Sequence, residues 1–374
     1  MRQRFLAPRD LALLSVLLLV AVLGLWLLRR ENAVSLGPQQ VVQTTNPKAG
    51  VHTRLENEVE AWKIKRTLEM VREMGTPWIV EYFPWAFSEP RKGSFRFDHA
   101  DLVVDHANRQ GLTVIARLGL VPEWARPRES ISTYLDPEHY DDFAAYAAAF
   151  ADHFSGRVRH IIIWNEPNLS LEWGYRPPDP QAYSELLCRS AEAIRQVAPD
   201  VVILGGALAP TTGDPEGDLG IGDLEFLEGM YGAGAGPCFD ALAAHAYGLT
   251  FPPDDPPDPE VINFRRVELL RQVMVRNGDG DKPIYITESG WNDHPRWTRA
   301  VRPAQRIRYT LQAYDMAREW PWLQVLAMWA FRYPWPEHNV RDYYTFVTPD
   351  FQPKPIYLEL QKALLSGASP TVSR

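Results

Sequence analysis

Apolar and polar positions fall into two regimes along this chain. Leu11 to Leu28 runs eighteen residues without a charge, interrupted only by Ser15 and Gly24. At about 1.5 Å per residue, a helix of that length spans about 27 Å, close to the hydrocarbon core of a bilayer. From Ala49 onward, short β-branched apolar runs alternate with helical periodicity. Strands are predicted at 50–53, 78–83, 112–118, 160–164, 201–205, 239–247, 283–287 and 325–331. Helices are predicted at 58–74, 99–110, 137–153, 180–197, 223–231, 261–276, 303–319 and 355–365. Pro137, Pro180 and Pro303 suit first helical turns, and Gly75, Gly111 and Gly278 sit where helices should stop. Near-continuous apolar strands suit a parallel sheet covered on both faces.

Eight such units in about 320 residues predict a (β/α)8 TIM barrel, preceded by a single N-terminal transmembrane helix. An open doubly wound sheet is the runner-up. It is disfavoured because the first strand ends in His52-Thr53-Arg54, with no glycine-rich phosphate turn. The expected organisation is a basic cytoplasmic n-region over 1–10, a transmembrane signal anchor over 11–28, a tether over 29–48 and a catalytic barrel over 49–374. The apolar run closes on Trp26-Leu27-Leu28-Arg29-Arg30 without a small-x-small site. That favours an uncleaved anchor over a secreted, cleaved form. Arg2, Arg4 and Arg9 slightly outweigh Arg29 and Arg30, so the body is expected outside the cytoplasm, at the cell surface or on the periplasmic side. Between strand six and helix six, Phe251 to Pro259 is proline- and aspartate-rich and reads as a stiff rim loop.

Charge narrows the partners. Of 39 basic and 47 acidic residues, the first 45 positions hold five arginines and two acids, so the body carries 34 basic against 45 acidic groups. A body that acidic, with no basic stripe, is a poor nucleic-acid partner. Cys188 and Cys238 make one bridge at most, and separate buried thiols are expected. No His and carboxylate spacing suggests a metal site, and no motif suggests a cofactor. His99, His106, His139, His153 and His160 receive no role.

In such barrels chemistry sits at the C-terminal ends of the strands. Strand four ends in Ile163-Trp164-Asn165-Glu166-Pro167-Asn168, and strand seven in Ile286-Thr287-Glu288-Ser289-Gly290-Trp291. Strands four and seven lie on opposite sides of an eight-stranded barrel, so Glu166 and Glu288 can face each other across its mouth. Facing carboxylates are the machinery of glycoside hydrolysis. His245 and Tyr247 alternate on strand six and point the same way. Eight of the thirteen tryptophans, among them Trp85, Trp124, Trp164, Trp291 and Trp329, fall at or soon after strand ends.

These residues carry a resemblance. Trp164-Asn165-Glu166-Pro167 with Thr287-Glu288-Ser289-Gly290-Trp291 resembles the clan A retaining glycosidases. Ile162 through Leu169 with Trp173 looks most like glycoside hydrolase family 39, which holds β-xylosidases, α-L-iduronidases and exopolysaccharide-cleaving enzymes. The resemblance covers roughly 49–365 and includes the segment from Trp85 to Asp101. It implies Glu166 as general acid/base, Glu288 as nucleophile and Asn165 as a partner of the sugar 2-hydroxyl. It implies the Tyr247 hydroxyl near the nucleophile beside His245, and Trp329 as the aromatic floor under the cleaved sugar. His52, Trp85 and Trp124 are further candidate sugar contacts. Many family 39 enzymes append a β-sandwich; this sequence stops soon after the eighth helix, which puts exo-xylosidase or iduronidase activity in doubt and sets an open cleft cutting within a polysaccharide beside it as an equal expectation. Expected partners are a carbohydrate substrate and, through 11–28, a membrane. A non-catalytic carbohydrate-binding barrel and a transglycosidase are the competing readings.

Overall fold

The computed structural model describes residues 34–214 and 218–366. The chain divides between Gly37 and Pro38. Of the first unit only 34–37 are described, with Gly37 N donating to Ser35 Oγ at 3.2 Å. The anchor expected at 11–28 lies outside the described residues. Among those described, no helix is long and apolar enough to cross a membrane.

The second unit is a closed barrel of eight parallel strands in chain order. They are β1 (Ala49–His52), β2 (Trp78–Pro84), β3 (Thr113–Gly119), β4 (His160–Ile163), β5 (Val202–Leu208), β6 (Ala241–Tyr247), β7 (Ile284–Gly290) and β8 (Leu323–Met328). Helices Ala61–Met74, Asp98–Arg109, Tyr140–His153, Pro180–Val197, Asp223–Gly232, Val267–Arg276, Pro303–Glu319 and Pro355–Leu365 form the outer ring.

Strand alternation sorts the side chains into two cores. On β3, Val114, Ala116 and Leu118 point out to the helices, whereas Ile115 points in. The inner core is a plug of Val80, Ile115, Ile162, Leu204, Ala243, Tyr285, Val325 and Ala327. Period-two geometry then decides what stands at the mouth above it. Two residues beyond these positions come Tyr82, Arg117, His245 and Trp329. His52 follows the same parity on β1.

Several expectations need correction. The helix expected from 261 begins at Val267, because the preceding stretch is taken up by the rim loop and a single turn at Phe264–Arg266. β8 stops at Met328 rather than at 331. Residues 38–48 are not a free tether. Gln40 N donates to Arg109 O, Thr45 N to Leu364 O and the Asn46 amide to Tyr314 O, so this stretch is fastened to the helical ring. The cysteines are neither separate nor fully buried: half-buried Cys188 and Cys238 form a disulfide between helix Pro180–Val197 and the turn before β6. Only the packing of that helix against the turn brings two positions fifty residues apart within reach.

Candidate active site

Glu166 sits on a backbone held in an unusual shape. Trp164 and Glu166 have φ of 72° and 42°, a left-handed region costly for residues with a Cβ. Contacts on both sides hold them there. Trp164 N donates to Leu118 O of β3, and Glu166 N to Ala207 O of β5, both at 3.0 Å. The fully buried Asn168 side chain donates to Ala209 O and accepts from Ala209 N. The Asn-Glu-Pro-Asn turn is therefore stretched between the two strands that flank β4.

Glu288 reaches the mouth by another route. Tyr285 points inward, so plain alternation would turn Glu288 outward. The register against β6 slips, however, from Ala244↔Ile286 to His245↔Glu288. That extra residue re-aims the strand and brings Glu288 inside, a common use of bulges beside functional sites.

The carboxylates then meet. One oxygen each of Glu166 and Glu288 and one nitrogen of His245 all lie within 4.8 Å of one another. His245 Nδ1 is 2.7 Å from Glu166 Oε1 and 3.7 Å from Glu288 Oε2. Arg117 Nη1 donates to Glu288 Oε1 and to Asn165 Oδ1, both at 2.7 Å. The Tyr247 hydroxyl donates to Glu288 Oε2 at 2.8 Å. His52 Nε2 stands 3.7 Å from Glu288 Oε1.

Electrostatics separate the roles. Burial alone would raise the Glu288 carboxyl. His245, Arg117 and the Tyr247 hydroxyl outweigh it and hold the group at about 2, so it is ionised at neutral pH. His245 is shifted up: burial opposes its charge, but the Glu288 carboxylate and the bond to Glu166 favour it. His52 is driven far down by burial and Arg117 and is neutral. Its Nδ1–H donates to Thr53 O, so Nε2 carries a lone pair and is buried without a hydrogen-bond partner among the described residues.

A hollow of about 660 Å³ opens beside Glu166, lined by Leu169, Tyr247, Trp297, Arg299, Trp329 and Tyr344 among others. Trp329 stands edge-on to Tyr344 at 5.3 Å and to Tyr247 at 6.5 Å. Three polar groups converge on an aromatic-walled cleft, a form suited to a polyhydroxylated ligand. The Glu166, His245 and Glu288 oxygens and nitrogen could also hold a cation, but Arg117 in contact with Glu288 opposes one.

Of the residues singled out from sequence, Glu166, Glu288, Asn165, His52, His245, Tyr247 and Trp329 come together at this mouth. Trp85 does not. It is fully buried, its indole donates to Glu89 at 2.6 Å, and it stacks on Tyr146. The chain after β2 turns at once into the short helix Trp85–Ser88, which folds the ring into the wall. Trp124 is engaged likewise: it donates to Glu89 O and packs edge-on to Trp85. Trp164, Trp173 and Trp291 are buried too, so most strand-end tryptophans are scaffold. Arg117, Glu172, Trp297 and Tyr344 were missed. Arg117 had a signal, as the only charge in Thr113–Gly119 and on the inward parity of β3.

Comparison with known proteins bears on the fold that carries this arrangement. A family model described as β-galactosidase, glycoside hydrolase family 42, matches residues 56–128. No curated protein matches by sequence. Among solved structures, a family 39 glycoside hydrolase from Bacteroides cellulosilyticus aligns at TM-score 0.67 and 21% identity, over 88% of this chain and 65% of that one. A monomeric β-xylosidase from Caulobacter crescentus aligns at 0.60 and 19%, over 85% and 69%. An exo-β-1,4-mannosidase from an Opitutaceae bacterium aligns at 0.60 and 18%, over 90% and 63%. The chain thus spans just under two thirds of the Bacteroides enzyme. Its structural neighbours are family 39 enzymes and related clan A glycosidases, and the family model agrees with that clan.

Proposed function

We propose that the protein is a retaining glycoside hydrolase that cleaves β-linked oligo- or polysaccharide by double displacement. The observation that carries this reading is the separation of at most 4.8 Å between a Glu166 and a Glu288 oxygen. Inverting enzymes hold their carboxyls about 6.5–9.5 Å apart to admit a water, whereas about 5–5.5 Å suits direct attack. Glu288, ionised and aimed by Arg117 and Tyr247, attacks the anomeric carbon. Glu166 protonates the departing oxygen, drawing its proton from the Glu166–His245 pair, and then takes one from the incoming water. Asn165 addresses the 2-hydroxyl, His52 Nε2 accepts from another sugar hydroxyl, and Trp329 carries the apolar face of the ring.

We also propose that the barrel works outside the cytoplasm, held by residues 11–28. The disulfide supports this, since such bridges persist in oxidising compartments. Exopolysaccharide or wall glycan is the substrate class that such a placement favours.

Aryl β-glycosides and purified polysaccharides, offered to the protein and to Glu288→Gln, test the mechanism. The expected result is turnover with a β-configured first product by proton NMR, and a loss of at least about 10⁴-fold in Glu288→Gln. An α-configured first product, or undiminished turnover in the variant, would overturn it.

A further inference from the structure

The hollow beside Glu166 holds one cation that the double displacement does not use. Arg299 lines it, is exposed, and has no hydrogen bond or ion pair among the described residues. Every other residue of the lining is neutral except Glu166 itself.

Arg299 sits on the loop between β7 and helix Pro303–Glu319. Residues 291–302 carry Arg296, Arg299 and Arg302 against a single acid, Asp293. That acid is engaged by Arg306 at 3.3 Å. The body around this loop is acidic, so the lip is a local reversal of sign. It is also fastened in place. Val301 N donates to Asn292 O at 2.8 Å, and Ala300 N to Trp297 O at 3.0 Å. The Asn292 amide donates to Val340 O at 2.6 Å, which ties the lip to the chain beyond β8.

A row of aromatic rings leads from the proposed reaction centre toward this arginine. Trp329 stands 5.3 Å from Tyr344, and Tyr344 stands 6.4 Å from Trp297. All three rings line the hollow, and Trp297 also lines a neighbouring hollow of about 930 Å³ together with Arg302. Rings in succession suit successive sugars, whose C–H faces pack on them. The roles proposed above give the direction. His52 and Asn165, assigned to the cleaved sugar, do not line the hollow, whereas Glu166, which faces the departing oxygen, does. The hollow therefore suits the leaving-group side of a bound chain.

We propose that Arg299, with Trp297 beside it, is a specificity-determining residue that binds a carboxylate on the leaving-group side, so that the substrate is an acidic, uronate-bearing polysaccharide. This rests on the glycosidase reading above. A guanidinium presents a planar fork that matches a carboxylate, and no acid among the described residues competes for this one. A polyanionic chain is repelled by the acidic body and received at the lip, which sets the direction in which it lies across the mouth.

The test offers the full chain a set of β-linked uronate polysaccharides, each beside the same polymer with its carboxyls reduced to alcohols. Aryl β-glycosides serve as the measure of turnover itself. Wild type should cleave an acidic polymer with about 10-fold higher kcat/KM than its reduced counterpart, as for one charge-assisted contact near solvent. Sodium chloride at about 0.5 M should erase most of that preference. Arg299→Met should bring the ratio of the two polymers to within about 2-fold of unity, whereas Arg299→Lys, which keeps the charge without the fork, should retain about 3-fold. A preference that survives Arg299→Met, a preference for the reduced polymers, or turnover of aryl glycosides with neither kind of polymer cleaved would each overturn the proposal. A wild type that cleaves no glycoside of any kind sinks the glycosidase reading itself, and that silence on every substrate tells the two failures apart.

Discussion

Two glutamates are buried in the strands of this barrel, and their surroundings drive them apart. Glu288 on β7 points into the mouth, against Arg117, His245, His52 and Tyr247, and is held at about 2. Glu81 on β2 points outward to the helix layer. It accepts from Thr53 Oγ1, Leu55 N and Tyr82 N, but burial and the neighbouring Glu56 carboxylate push it up to about 8. Depth is the same for both. Company differs, and company decides which carboxyl is an anion at neutral pH. The first is an anion poised at the mouth, as the proposed nucleophile must be, and the second is a neutral hydrogen-bonding strut.

Removing the cation beside Glu288 strikes hardest at this contrast. Arg117→Met should lower kcat/KM by about 10²–10³-fold, since one preorganised charge contact to the reacting group is lost. The acidic limb of the pH–rate profile should move up as Glu288 loses a stabilising charge. An unmoved limb would mean that Arg117 does not set the nucleophile's ionisation.

Acid should expose the next difference. A group lowered on folding stabilises the fold fully above its unfolded value near 4.5, and that stability drains away as pH falls toward about 2. Melting curves across this window should fall more steeply for wild type than for Glu288→Gln. Parallel curves would show that the surrounding charges do not depress Glu288.

The smallest effect belongs to Glu81. A raised group stabilises fully below its unfolded value and loses that contribution as pH climbs through its folded value, here from about 4.5 to about 8. Glu81→Gln mimics the protonated form. It should cost less than about 1 kcal/mol at pH 5 and flatten the decline of stability between pH 5 and 8. A variant that tracks wild type across that range would contradict a neutral Glu81.

The same pair shows what sequence can disclose. The eight strands and both glutamates of the mouth were legible, because apolar runs and the strand-end rule place them without knowledge of packing. Arg117 was legible in principle from the parity of β3. The inward turn of Glu288 was not, since it depends on a register slip that the local residues do not announce. Trp85 and Trp124 misled for a related reason: being near a strand end fixes height in the barrel, but the helix Trp85–Ser88 fixes direction. The disulfide needed two elements that only the closed ring makes neighbours.

That disulfide reaches further than its place on the outer wall suggests. The fifty residues it spans include β5 and the residue that follows it, and the carbonyls of Ala207 and Ala209 there hold Glu166 and Asn168 in place. Closing a loop of that size confines the unfolded chain by about 4 kcal/mol, in the entropic account of crosslinks. Reductant added during purification would therefore relax the segment on which the Glu166 turn hangs. A preparation handled that way would loosen the Glu166 side of the proposed site while Glu288, on the far side of the ring, kept its place.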